Sequence, residues 1–328
     1  MSKVFVGIDV SARELVVAKL GEPRIRTFAN DRHGHKALVK HLAKKGQMVR
    51  VCLEATGIYS LDIAMALSKA RGNEVMMANP RAIKDFAGAI MRRSKDDQID
   101  AVILAEFAAR MPFVPYVPCS AQALRLRSLS RRIAALNNVM VAEKSRLHAA
   151  SASELSGTAM DIKVHIRFLK QRMEVLRARA EQQIRADEEL SWKYDCLVSV
   201  KGIARASAIQ ILGELIGLPE DMDKRQWTAH AALDPKHCDS GSSVHKRSRI
   251  SKNGNCYLRK ALFMPALVAS RREPSIKEYY LHLLDAGKKP MQALVAVMRK
   301  LLCAIWGMFS AGQPFDGSRF YPAVAIAA

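Results

Sequence analysis

The chain has 328 residues, 49% of them hydrophobic and 25% charged, a balance that supports a buried core and a length that suits two domains. Its 52 lysines and arginines against 31 acids leave a formal net charge of +21, which argues against a neutral or acidic surface and points to a polyanionic partner. The six cysteines (Cys52, Cys119, Cys196, Cys238, Cys256 and Cys303) include no CxxC pair and no Cys/His cluster at zinc spacing, which argues against a disulfide scaffold and a structural zinc and suits a reducing cytoplasm.

Three short β-rich runs, at 4–8, 15–20 and 25–28, are separated by turns too short to hold a helix and predict an antiparallel meander. A helix over 35–45, a strand over 49–53, a helix over 59–71 and a strand over 75–78 follow. This is the element order of an RNase H-like α/β fold, and the helical crossover should lay 49–53 parallel to a meander strand. A basic helix-loop over 80–95 leads to a helix over 98–110, which ends at the Pro112, Pro115 and Pro118 cluster. From 120 to 186 the chain has no proline and one glycine, Gly157; Leu124, Leu129, Ile133, Leu136 and Val139 fall near helical spacing. Two long helices broken near Ser156-Gly157, the second over 166–184 with Leu169, Met173 and Leu176 in its seam, predict an antiparallel helical arm or coiled coil. A mainly α-helical, basic region then runs from near Trp192 to Pro314, and the end of the chain reads as a loose tail. The expected division is 1–118, 119–190 and 191–328. The first strand follows Lys3 directly, without a signal-peptide pattern. No apolar run reaches the roughly 18 residues that span a bilayer; the most apolar stretch, 294–309, is interrupted by Arg299 and Lys300.

Four acids form the strongest chemical pattern. Asp9 ends the first strand in Gly7-Ile8-Asp9, and Glu54 ends the fourth in Leu53-Glu54-Ala55-Thr56-Gly57. Asp97 and Asp100, three residues apart at a helix start, share a face. Adjacent parallel strands would bring Asp9 and Glu54 to one sheet edge, where α/β sheets bind ligands. The set can hold Mg²⁺, a hard cation that favours carboxylates and phosphate oxygens and, in pairs, clamps a phosphodiester displacement. Singly, Asp9 and Glu54 read as cap residues and Asp97 as a helix N-cap; Asp96, four residues before Asp100, is a competing acid.

A second pattern is Cys238-Asp239-Ser240-Gly241-Ser242-Ser243, followed by the basic run from His245 to Lys252. Gly241 allows a sharp turn, and Lys246, Arg247, Arg249 and Lys252 can neutralise phosphates. By residue type alone this is more simply a phosphate-binding loop, with a serine nucleophile as the alternative. A third pattern, Val200-Lys201-Gly202-Ile203, reads equally as a helix–hairpin–helix contact to a phosphate or as a plain packing turn.

With these motifs in order, joined by Lys95-Asp96-Asp97-Gln98-Ile99-Asp100, Ile250-Ser251-Lys252-Asn253-Gly254 and Leu258-Arg259-Lys260, the chain closely resembles the DEDD transposases of the insertion-sequence family numbered one hundred and ten, with pilin-gene invertases as relatives. The resemblance covers essentially the whole chain. It implies a RuvC-like N-terminal domain with Asp9, Glu54, Asp97 and Asp100 as the catalytic, Mg²⁺-binding acids (Mn²⁺ a substitute), and a C-terminal transposase domain with Ser240 as nucleophile. It further implies a covalent phosphoserine intermediate, donor and target DNA as substrates, and a noncoding bridge RNA as guide. Assembly would be from dimer to tetramer, each site combining the acids of one protomer with the serine loop of another, in a prokaryotic cytoplasm. Arg92, Arg93, Lys95, Lys201, Lys246, Arg247, Arg249, Lys252 and Arg259 are the candidate nucleic-acid contacts. The sequence departs from the family at Asp96, where threonine or serine is usual, and Ser242 and Ser243 add hydroxyls beside Ser240. Rival readings are a metal-dependent endonuclease or Holliday-junction resolvase without a covalent intermediate, a site-specific DNA invertase, and a non-catalytic nucleic-acid scaffold.

Overall fold

Short apolar runs, buried on both faces in Lys3–Val10 and Met48–Glu54, build a five-stranded sheet near the start of the chain. The computed structural model describes residues 3–43, 47–55, 57, 59–91, 96–152, 156–240 and 244–321, with backbone alone at 156, 236–240 and 244–248. Strands β1 (Lys3–Val10), β2 (Glu14–Lys19) and β3 (Arg26–Ala29) form the antiparallel meander expected of them. After helix α1 (Arg32–Leu42), β4 (Met48–Glu54) pairs parallel with β1; after α2 (Tyr59–Ser68), β5 (Asn73–Ala78) pairs parallel with β4. The strand order is β3-β2-β1-β4-β5. Helix α1 starts earlier than the periodicity suggested, because Asp31 accepts a hydrogen bond from the Gly34 amide at 2.8 Å and caps it.

The strand period of two decides which side chains meet which helices. Val6, Ile8 and Val10 of β1, with Val49, Val51 and Leu53 of β4, pack against Leu38, Leu42, Ile63 and Leu67 of α1 and α2. The opposite face is covered by α3 (Pro80–Ala89) and α4 (Asp97–Arg110), with Cys52, Met76, Ile83, Leu104 and Phe107 buried together. Gly7 lies on that second face. A Cβ there would come within 2.0 Å of the Ala101 carbonyl oxygen and 2.4 Å of the Ala105 amide, so α4 rests directly on the strand backbone.

The chain divides into two compact units, Met1–Pro118 and Cys119–Ala328. The second begins with a pair of long helices, α5 (Ala121–Ser151) and α6 (Ser156–Arg185), the latter starting before the expected 166. Gln183 donates to the Gln122 carbonyl at 2.8 Å, and farther along the His165 ring lies 3.5 Å from Glu143, so the two helices run antiparallel. Leu126, Ile133 and Leu136 meet Leu169, Met173, Leu176, Ala180 and Ile184. Val139, expected in that row, is 42% exposed, since the row continues through Met140 instead.

Helices α7 (Glu188–Ser199), α8 (Arg205–Leu215) and α9 (Lys224–His230) follow, then strands β6 (Pro235–Ser240) and β7 (Val244–Ile250), then α10 (Cys256–Arg272), α11 (Pro274–Asp285), α12 (Pro290–Ala311) and α13 (Gly317–Phe320). The two strands are absent from the helical expectation for this region; their residues are mostly polar and carry no readable apolar alternation. Helix α12 is long and apolar enough to cross a bilayer by composition, yet Leu294, Val297, Leu301, Leu302 and Ile305 are core residues of this unit. The five described cysteines are free thiols; Cys52 and Cys196 are buried, whereas Cys256 is exposed.

Where α5 crosses α8, Glu214 is buried and accepts from Arg131 at 2.8 and 2.9 Å and from Asn255 at 2.7 Å. Burial pushes this carboxyl up, but the hydrogen bonds outweigh it and hold the pKa below the ordinary range.

The tightest contact in the first unit yields a prediction. Gly7→Ala drives a methyl group into the α4 backbone and should lower stability by about 3 kcal/mol, read as a shifted denaturant midpoint.

Candidate active site

Strand parity puts Asp9 two residues beyond Gly7 and Glu54 two beyond Cys52, so both carboxylates fall on the α4 face. Ile8 pairs with Leu53 in the parallel β1–β4 ladder, which sets Asp9 alongside Glu54 at the strand ends. Helix α4 supplies the other two acids. Ala101 lies on Gly7, and Asp97 is one helical turn earlier, a rise of roughly 6 Å that matches the roughly 6.6 Å from Gly7 to Asp9 along a strand.

The electrostatics register this convergence. The Asp9 carboxyl is pushed up from 3.8 to about 6, first by burial, then by the charges of Asp97 and Asp100, with Glu54 adding and a backbone hydrogen bond at Val10 opposing. Cys52, on the same face, is pushed up to about 12 by burial and by Glu54. Asp96 is not among the charges acting on Asp9. It is the N-cap residue of α4 but makes no side-chain capping hydrogen bond, so the reading of Asp97 as the cap is corrected: Asp97 is the first helical residue.

The carboxylates share a field without closing into a cage. Among the described residues, no group of three or more His, Cys, Asp or Glu side chains is arranged to hold a metal ion. The chemistry of the donor set nevertheless fits a hard divalent cation, since a bound positive charge would relieve the repulsion that Asp97, Asp100 and Glu54 exert on Asp9.

Ser240 belongs to the second unit, at the end of β6, where it pairs with Val244 across the hairpin. Gly241, Ser242 and Ser243 lie outside the described residues, as do the side chains of Ser240, Lys246 and Arg247 and the whole of Arg92, Arg93 and Lys95. One extra residue on β7, between the pairs Lys236–Arg249 and Cys238–Lys246, makes a bulge that bends the ladder. Arg249 and Lys252 are exposed. Lys201 is 67% exposed, 3.9 Å from Glu273. Arg259 donates to the Ala231 carbonyl at 2.9 Å, bracing the end of α9. In the turn between α7 and α8, Gly202 has φ 123°, and a Cβ there would lie 2.7 Å from the Ala269 amide of α10. Close packing against α10 therefore accounts for this glycine without any phosphate. The residue pattern did not single out the bond between Ser251 and Asp234, 2.8 Å long, at the foot of the hairpin.

Two family profiles match the chain: a DEDD-type transposase family over residues 6–151, and the Transposase IS116/IS110/IS902 family over residues 194–281. The chain belongs to the IS110 transposase family. It is a DNA transposase/recombinase enzyme. The pilin gene-inverting proteins of Moraxella bovis and Moraxella lacunata are each 27% identical to this transposase over 323 residues, covering 96% of this chain and 98% of theirs. The uncharacterized 43.6 kDa protein of insertion element IS110 from Streptomyces coelicolor is 27% identical over 151 residues, 45% of this chain and 36% of its own. The first family match contains all four acids and the second contains Ser240.

The raised pKa of Asp9 has a signed consequence. Between pH 3.8 and about 6 the folded protein keeps a proton that the unfolded chain releases, so stability falls as pH rises through that window. In chelator, the denaturant midpoint of the transposase should decline across this range, and Asp9→Asn should flatten the decline.

Proposed function

We propose that this transposase is a site-specific recombinase in which the Ser240 hydroxyl attacks a DNA phosphate, and that an RNA-guided choice of site accompanies that chemistry. The observation that carries the reading is the group of four acids on an α/β sheet edge, where burial, then the charges of Asp97, Asp100 and Glu54, raise Asp9 to about 6. The sheet order β3-β2-β1-β4-β5, with an antiparallel meander and two parallel strands, supports an RNase H-like, RuvC-like assignment for the first unit.

Asp9, Glu54, Asp97 and Asp100 would hold Mg²⁺, or Mn²⁺ in its place. When bound, the metal supplies Lewis-acid polarisation of the phosphate and stabilises the oxyanion that leaves. Ser240 would form a new O–P bond as one deoxyribose oxygen departs and takes up a proton, leaving a phosphoserine link and a free hydroxyl. A strand hydroxyl attacking that link would reverse the exchange and rejoin DNA in a new order. Two sites in opposite orientation would give inversion, as the names of the Moraxella relatives describe; two ends of an element would give excision or insertion.

The net charge of +21 is suited to DNA and a guide RNA together. The α5–α6 pair, read as a coiled-coil arm, would serve assembly to a dimer or tetramer, each active site then joining the acids of one protomer to the hairpin of another. Base pairing by a bridge RNA would explain site choice without a protein-encoded code, as in other guided systems.

The test is a trapped protein–DNA adduct. Cells carrying the gene within its native flanking DNA should yield a covalent adduct at Ser240 by mass spectrometry. Ser240→Ala, Asp9→Ala and Glu54→Ala should each reduce strand exchange on the order of a thousand-fold or more. Cleavage that survives Ser240→Ala and is lost with Asp9→Ala would identify a metal-dependent endonuclease instead.

A further inference from the structure

The β6–β7 hairpin joins its unit through two short legs. The entry leg runs from the end of α9 through Ala231, Ala232 and Leu233 to Asp234; the exit leg runs from Ser251 through Lys252, Asn253 and Gly254 to Asn255, the N-cap of α10. Each leg has one non-glycine residue in the left-handed region, Ala232 at φ 51° and Lys252 at φ 57°. Side chains disfavour that conformation, and it persists only where surrounding contacts impose it.

Those contacts are visible. The Leu233 amide donates to the Thr228 carbonyl at 3.0 Å, and the Asn255 amide donates to the His230 carbonyl at 2.6 Å, so both legs are tied to α9. The Asn255 side chain reaches the buried Glu214 at 2.7 Å and caps the Tyr257 and Leu258 amides, which ties the exit leg to the Glu214–Arg131 pair. Between the legs themselves, the Ser251 amide donates to the Asp234 carbonyl at 3.0 Å and the Ser251 hydroxyl donates to Asp234 Oδ1 at 2.8 Å. This clasp stands directly below the first ladder pair, Pro235 with Ile250.

We propose that Asp234 and Ser251 are positioning residues for strand cleavage: their hydroxyl–carboxylate bond fixes the angle at which the hairpin bearing Ser240 leaves the unit. The proposal rests on Ser240 being the nucleophile. The hairpin is a lever. From Pro235 to Ser240 the strand extends roughly 17 Å, so a swing of about 3° at the foot displaces the tip by about 1 Å. A misplacement of about 1 Å can slow a positioned reaction roughly a hundred-fold. The hydroxyl of the exit leg, bonded to the carboxylate of the entry leg, is a second tie beside the backbone bond and opposes that swing.

The test uses the full-length gene in its native flanking DNA on a plasmid, with Ser251→Ala, Ser251→Thr and Ser240→Ala compared with the parent. Protein-linked DNA is recovered under denaturing conditions over time. The purified chains are compared in melting temperature and in affinity for a mixed-sequence DNA duplex. Ser251→Ala should slow adduct formation roughly ten- to a hundred-fold, with a melting shift under about 4 °C and unchanged duplex affinity. Ser251→Thr, which keeps the hydroxyl, should restore the rate. Adduct formation at the parent rate in Ser251→Ala overturns the proposal, as does a loss that follows melting temperature and duplex affinity and is not restored by threonine. If Ser240→Ala itself still forms the adduct, the nucleophile assignment fails, and that result is read independently of Ser251.

Discussion

Helix α4 lies against β1 with almost no side chain between them, and the acid site depends on that closeness. The Ala101 carbonyl and the Ala105 amide occupy the space where any other residue at position 7 would place its Cβ. With the helix held at that depth, its first turn stands over the ends of β1 and β4, and Asp97 and Asp100 act electrostatically on Asp9. A larger residue at position 7 would lift the helix and separate two pairs of charges whose joint effect falls with distance. The acids therefore owe their proximity to a packing decision made elsewhere on the strand. Their mutual repulsion is opposed by the core of Leu104, Phe107, Ile103 and Ala108 on the same helix.

The second unit solves a related problem with the opposite polarity. Arg131 and Glu214 are drawn together where α5 crosses α8, and Asn255 extends the network to the start of α10. Glu214 is buried while Arg131 is partly exposed, so losing Arg131 is the costly change, because it leaves a buried carboxylate without its cation. The network thus links the long antiparallel pair to the hairpin region through directional bonds. Nearby, Arg259 is bonded to the Ala231 carbonyl at the end of α9.

Much of the first unit was legible because its signals are periodic. Short β-rich runs located β1 and β4, and the crossover rule laid β4 parallel to a strand of the meander. The spacing of Asp97 and Asp100 gave a shared helical face. What the sequence did not reveal is which of Asp96 and Asp97 begins α4, since both are good cap residues and cap geometry is decided by backbone angles. Nor did it reveal β6 and β7: Lys236, His237, Asp239 and Ser240 are polar residues with no apolar alternation to announce a strand. The seam of α5 was misread at Val139 because two rows of apolar residues run almost parallel along the helix, and only the partner helix selects between them. Ser251 looked like an ordinary loop hydroxyl, as its acceptor lies seventeen residues away.

The parallel pairing of β1 with β4 also governs when this enzyme acquires its acidic centre. These partners are separated in the chain by β2, β3 and α1, so their ladder requires a long loop to close, whereas the meander and the α5–α6 pair form from neighbouring segments. Asp97 and Asp100 arrive later still, after β5 and α3. A nascent chain emerging from the ribosome can present Asp9 for a long interval as an isolated carboxylate with ordinary acidity. In chain order the two acids of α4 come last, so the centre is complete only once α4 lies over Gly7.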